Sequence, residues 1–309
     1  MGKIEDVVLD DMFVPVKIAI GENEEIKRPV SSFWKDSFKS LLRHKTATVS
    51  LCLILIISFF ALAGPYMNDF EYYETNYDET YQAPTVRHLF GTDKFGRDQW
   101  TRVWEGTRIS LYIALLAATL DLLIGVTFGA ISGYFGGKID AIMQRIIEIL
   151  VGIPRLIVVI LLMMILKPGI LTLTLAMVIT GWVSMARIVR GQILKLKQQE
   201  YVLAARTLGA SNFDIIFKQL LPNILGIVIV NMMFTIPSAI FTEAFLSFIG
   251  LGLQEPQASL GVLINDGYQA MRNHFYLLLY PAIVIISLMI GFNILSDGLR
   301  DAFDPRMRK

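Results

Sequence analysis

Cysteine is almost absent. The single Cys52 lies inside an apolar run, which leaves no disulfide framework, no CxxC pair and no thiolate metal cluster. Only three histidines occur, His44, His88 and His274, and they lie far apart without an HExxH pattern, so a zinc-hydrolase ligand set is missing. There is no GxSxG elbow. There is no GxxxxGK[ST] phosphate loop either, since Gly137-Lys138 is preceded by Ser132 where the first glycine belongs. Charge is scarce: 18% of residues are ionisable and the net charge is +1, whereas soluble domains carry about 25% charged residues. That balance offers no basic face for nucleic acid. The chain is therefore expected to be non-catalytic, to hold no cofactor or metal, and to bind no nucleic acid.

What the sequence has instead is apolar length. Of its 309 residues 54% are hydrophobic, and the mean hydropathy is +0.55. Crossing about 30 Å of hydrocarbon takes about 20 apolar residues in a helix. Six such runs are present: Thr46–Asn68, Ile109–Tyr134 (interrupted by Asp121), Ile142–Leu166, Ile170–Ala186, Ile224–Phe245 and Phe275–Leu295. The expected fold is all-α, a polytopic membrane bundle of six transmembrane helices in a lipid bilayer. Residues 1–45 form a polar tail with no signal-peptide core, 69–108 a polar outer segment, 109–298 a five-helix core and 299–309 a basic tail. Gly136-Gly137 and Pro168-Gly169 mark tight reversals, and no fixed-period repeat stands out.

Lysine and arginine sort by side. Loops on one face carry 20 of the 28 basic residues, loops on the other carry 7, and Arg155 lies within the third run. The positive-inside rule places both termini and the loop between helices 4 and 5 in the cytoplasm of a plasma (inner) membrane.

Polar residues inside apolar runs are the candidates for a pathway or gate, because an ionisable group in hydrocarbon faces a bundle interior or a wet cavity. Glu243 is either such a residue or half of a structural pair at the outer interface, and Asp121 poses the same alternative. Asn231 and Asn293 can bond helix to helix. Pro154 and Pro237 loosen or kink their helices. Arg145, Glu148 and Arg155 are expected near one helical face, as interhelical or snorkelling partners first and gate parts second.

The loop between helices 4 and 5 reads Glu200-Tyr-Val-Leu-Ala-Ala-Arg-Thr-Leu-Gly-Ala-Ser-Asn-Phe-Asp-Ile-Ile-Phe-Lys-Gln-Leu-Leu-Pro222. Glu200–Leu208 is rich in strong helix formers. Gly209 suits the left-handed residue just past the helix end, Ser211 or Asn212 can cap a second helix, and Pro222 punctuates the start of the fifth span. Small Ala204 and Ala205 permit close approach of another surface. On these features the segment is a docking helix for another protein or a helix resting on the membrane.

The spacing of Ala204-Ala205, Gly209 and Leu221-Pro222 resembles the EAA motif, EAA-x3-G-x9-I-x-LP, of ABC importer permeases, with Leu203 in place of its glutamate and Gln219 in place of its isoleucine. Phe90-Gly-Thr-Asp-Lys-Phe-Gly-Arg-Asp98, Gly106-Thr-Arg-Ile-Ser110, Arg187-Ile-Val-Arg-Gly191, Glu243-Ala-Phe-Leu-Ser-Phe-Ile-Gly-Leu-Gly-Leu253 and Asp297-Gly-Leu-Arg-Asp-Ala-Phe-Asp-Pro305 also resemble the C-type permease subunit of oligopeptide/dipeptide ABC importers. Together with the loop these blocks cover roughly residues 34–308. The resemblance implies a homologous second permease subunit, two ABC ATPase subunits and an extracytoplasmic peptide-binding protein as partners, with peptide as substrate. It further implies that Glu200, Ala204, Ala205, Arg206, Gly209, Leu221 and Pro222 couple the chain to the ATPases. The 250–273 segment becomes the contact for the binding protein. Permeases for nickel, glutathione or antimicrobial peptides share most of these blocks. A secondary transporter is disfavoured by the docking segment, and a scaffold protein would leave that segment free to vary.

Overall fold

The computed structural model describes residues 33–166 and 169–303. The expectations for Lys167, for Pro168, for the tail before residue 33 and for the tail after residue 303 lie outside these. The chain divides into two compact units, Met1–Asp36 and Ser37–Lys309. Of the first, only residues 33–36, the opening turn of helix α1, are described.

Among the described residues the secondary structure is helical, with an isolated bridge between Thr92 and Asp98 and no strand. The helices are α1 (Phe33–Arg43), α2 (Lys45–Ala63), α3 (Gln99–Phe135), α4 (Gly137–Gly152), α5 (Arg155–Ile165), α6 (Ile170–Leu196), α7 (Glu200–Thr207), α8 (Asn212–Asp214), α9 (Leu221–Phe248), α10 (Leu260–Ala270) and α11 (Tyr276–Phe303). Among the described residues, five helical runs are long and apolar enough to cross a membrane; α4 and α5 supply a sixth only as a pair bent by 80°.

That bend falls at Pro154, where the sequence leads us to expect a loosened or kinked helix. Pro154 cannot donate to the helical ladder and disfavours helical geometry at Ile153, which is extended at ψ 126°. Arg145 and Glu148 still pair at 2.7 Å on α4, but Arg155 opens α5 and points elsewhere. The second span also begins earlier than Ile109. Asp98 caps α3 by accepting from Thr101 N–H at 2.9 Å, and the first three turns bury Arg102, Thr101 and Glu105 against protein rather than exposing them to lipid. The fifth span likewise starts early. Helical backbone runs without interruption from Asn212 to Phe248, with Pro222 in the first turn of α9 and Pro237 inside it. Because the backbone is already helical before it, Pro222 removes one N–H from a continuing helix, directly after the π-helical turn Ile215–Leu220.

Packing rests on close approach. Gly125, Gly129 and Gly133, each four residues apart on one face of α3, lie against Met185, Ala186, Val189, Arg190 and Ile193 of α6. A Cβ at Gly133 would stand 2.9 Å from the Arg190 carbonyl oxygen, so only a bare α-carbon lets the two helices approach this far. The largest core joins α2, α3, α9, α10 and α11 through residues such as Ile54, Ile113, Ile240, Leu260 and Leu288. With 37 residues α3 is about 55 Å long. It connects two polar ends, the 64–98 loop and the α6–α9 turn.

Candidate functional site

At the end of α3 that carries Tyr134, the polypeptide between α6 and α9 forms a compact turn. Glu200 opens α7, whose C-terminus closes as expected. Gly209 takes φ +82°, Gly209 N–H bonds the Arg206 carbonyl at 3.1 Å, and Ala210 N–H bonds the Ala205 carbonyl at 3.0 Å. These are the two bonds of a Schellman motif. Ser211 then caps the next helix, accepting from Asp214 N–H at 3.1 Å. Residues Ile215–Leu220 wind as a π-helix before α9 begins, a widening the sequence does not announce.

One face of the turn is anchored. Val202 is fully buried in a cluster with Ile193, Ile215, Leu220 and Ile224, while the Tyr134 hydroxyl donates to Asn212 Oδ1 at 2.7 Å. The Arg206 guanidinium lies 5.7 Å from the Tyr134 ring centroid. The neighbouring end of α4 is tied in by a bidentate ion pair, Arg190 Nε and Nη2 to the Asp140 carboxylate at 2.6 Å each. The other face is bare. Glu200, Ala204, Arg206, Gly209 and Pro222 are exposed, Ala205 and Leu221 are half-buried, apolar Leu208 is 87% exposed, and the stacked rings of Phe213 and Phe217 are exposed too. An anchored turn with an exposed apolar face can receive a partner and pass its push to α6 and α9.

The four pathway candidates separate. Asp121 and Asn231 line a cavity of about 210 Å³ between α3, α5, α6 and α9, together with Arg155, Ser184 and Ser238. Pro237 is buried within α9 beside that lining, without breaking the helix. Glu243 lies elsewhere, wholly buried, with Ser110 and Ser247 each donating to its carboxylate at 2.8 Å. Ser110 in turn accepts from Leu260 N–H at 3.2 Å. Ser259, which bonds Ser247 at 3.4 Å, caps α10 by accepting from Val262 N–H. Through serine relays Glu243 thus satisfies the first N–H groups of α10, a positioning role rather than a lining one. Asn231 and Asn293 do not bond helix to helix; each donates to the carbonyl four residues back in its own helix, at 2.8 and 2.9 Å, the acceptor nearest to hand.

At the opposite end, the Phe90–Asp98 block works as a clamp. Asp93 accepts from Phe95 N–H at 2.8 Å and from Arg97 N–H at 3.0 Å, and pairs with the Arg97 side chain at 2.7 Å. Lys94 reaches Asp266 of α10 at 3.1 Å and Glu255 at 3.2 Å. Burial works to raise the Glu255 carboxyl, but attraction to Arg97 and Lys94, with hydrogen bonds from both, holds it below its ordinary value. The 250–273 segment therefore contains a helix, α10, pinned to the 64–98 loop. Sequence reasoning missed Arg155 as a cavity residue, Ser110 as Glu243's partner and the Gly125/Gly129/Gly133 stripe. The stripe's four-residue spacing was the available signal.

The family model described as binding-protein-dependent transport system inner membrane component matches residues 125–309, and the N-terminal TM domain of oligopeptide transport permease C matches residues 32–84. The chain belongs to the binding-protein-dependent transport system inner membrane component family. It is 47% identical to the dipeptide transport system permease protein DppC of Bacillus subtilis, covering 98% of this chain and 95% of that one. It is 48% identical to the oligopeptide transport system permease protein OppC of the same organism, covering 97% and 98%. The OppC of Escherichia coli K12 is 40% identical, covering 93% and 95%. A chain of the MetNI methionine ABC transporter, crystallised in inward facing conformations, shares the fold at a TM-score of 0.54 and 19% identity, covering 66% of this chain and 96% of that one.

Proposed function

We propose that this chain forms half of the translocation pathway of an ATP-driven importer for oligopeptides or dipeptides, a homologous permease supplying the other half. Two ABC ATPase subunits drive it through the 200–222 turn, and an extracytoplasmic binding protein delivers the peptide. The observation that carries the coupling is the two-faced turn. Val202 and Tyr134 fasten α7 to the bundle, while Ala204, Leu208 and Phe213 stand exposed beside Gly209. Burying that apolar face against another protein is favourable, and the fastened face converts the contact into force on α6 and α9. The 20-to-7 distribution of basic residues supports a cytoplasmic position for the turn and both termini. The lack of a phosphate loop supports a non-catalytic subunit that relies on partner ATPases. Peptide as substrate is supported by the named relatives, which match along nearly their whole lengths.

The test is co-purification with uptake. Tagged protein is expected to bring down an ATPase, and Gly209→Asp or Ala205→Glu to reduce both that recovery and peptide uptake. An intact uptake in both variants, with no ATPase recovered, would refute the proposal.

A further inference from the structure

We infer that the cavity between α3, α5, α6 and α9 is a subsite for the primary ammonium group of a transported peptide, anchored by Asp121. The inference rests on reading the chain as a peptide permease and adds the group that the pathway recognises. Among the buried carboxylates, Glu243 and Asp121 have contrasting surroundings. Glu243 is satisfied by two serine hydroxyls. Asp121, only 4% exposed, has a buried Oδ1 with no hydrogen-bond partner. A buried acceptor without a donor is costly, and a structural carboxylate finds donors as Glu243 does. The fold also keeps room for the Asp121 carboxylate, because a Cβ at Gly181 of α6 would collide with it.

The remaining walls suit the group. Asn231 spends its amide N–H on the Ile227 carbonyl, leaving its side-chain oxygen as a second acceptor for an ammonium. Arg155 on the facing α5 has a buried Nε without a partner and holds the Met177 carbonyl only at 3.4 Å, so it has donors to offer. Acceptors on one wall and donors on the other fit an ammonium followed by a carbonyl or carboxylate oxygen, the start of a peptide. At about 30 Å³ per water, the cavity of about 210 Å³ holds several waters or a peptide's first residue. Arg155 opens α5 directly after the 80° break, so an occupant touching it contacts the first helical residue beyond that break.

The test uses the whole importer complex in detergent without ATP, in a Cys52→Ala background with Ser184→Cys as a reporter thiol on the cavity wall. The rate of maleimide labelling is measured against trialanine, N-acetyl-trialanine and Nα-acetyl-lysine amide. Trialanine should slow labelling, with a half-protecting concentration at least about tenfold below that of the acetylated form, the value of one charge-assisted bond. Asp121→Asn should erase that difference. Protection by the lysine derivative as well would mean that any primary ammonium is accepted, and protection by trialanine alone that the peptide terminus is read. Equal protection by both trialanine forms, or by neither, overturns the subsite, and this comparison keeps Asp121 itself unaltered. The same complex in vesicles should import trialanine. Failure there would refute the permease reading, whereas intact import with unprotected labelling refutes only the subsite.

Discussion

Replacing Gly209 by alanine isolates one physical effect at the turn between α6 and α9. The residue sits at φ +82°, and a Cβ built there meets nothing within 4 Å, so no clash accompanies the change. What the change adds is left-handed backbone strain, about 1–2 kcal/mol for an ordinary L-residue. Asparagine tolerates this region better and valine worse. The strain is relieved by giving up the two bonds that close α7, from Gly209 N–H to Arg206 and from Ala210 N–H to Ala205. A helix of eight residues has little propagation energy to resist that fraying. The ordered turn should therefore be depleted roughly 5- to 30-fold in Gly209→Ala. In vesicles containing the whole importer, peptide imported per ATP hydrolysed should fall in the order Gly, Asn, Ala, Val. Membrane insertion should be unchanged, because the position touches no core residue. Wild-type coupling in both Gly209→Ala and Gly209→Val would refute the account of the turn as a rigid lever.

Other perturbations test other parts of the fold. Glu243→Leu leaves Ser110 and Ser247 without their acceptor and should cost about 1–3 kcal/mol per unsatisfied buried group, read as a lower melting temperature, while Glu243→Gln retains an acceptor and should cost less. Gly129→Val forces a side chain into the Ala186 backbone and should separate α3 from α6, lowering the yield of folded protein in detergent far more than Gly191→Val, where a Cβ meets nothing. The clamp built on Phe90–Asp98 should respond to acid. Glu255 is held below its ordinary value of 4.5, so its contribution is complete above that value and is lost as pH falls through the lowered one. Lys94 shows the opposite sign. Burial works to lower it, but Asp266 and Glu255 raise it above 10.5, so its contribution holds below that value and is lost as pH rises through the raised one. Protease cleavage of the 64–98 loop should accelerate at both extremes and stay slow between them.

Much of this was legible because membrane spans are written in composition. Runs such as Thr46–Asn68 mark themselves by length, and Gly209 and Ser211 mark the turn by backbone chemistry any sequence must obey. What was not legible depends on partners distant in sequence. Arg155 and Asp121 share no local pattern, and only the bend at Pro154 brings α5 to the wall opposite α3. Glu243 reads as an exposed risk in hydrocarbon until Ser110, more than a hundred residues earlier, is placed against it. The early start of α3 has a physical cause. Polar helix ends such as Gln99–Arg108 are buried by protein rather than lipid, and hydropathy does not distinguish the two.

In the proposed importer, ATP hydrolysis by a partner is transmitted through α7. Site-specific photo-cross-linking tests it most directly, with the probe placed at exposed Ala204 and, as a control, at Val86 in the loop at the other end of α3. From position 204 the probe should yield an adduct with the ATPase subunit, and from position 86 it should yield none. An ATPase adduct from position 86, or none from position 204 in a complex that imports peptide, would contradict it.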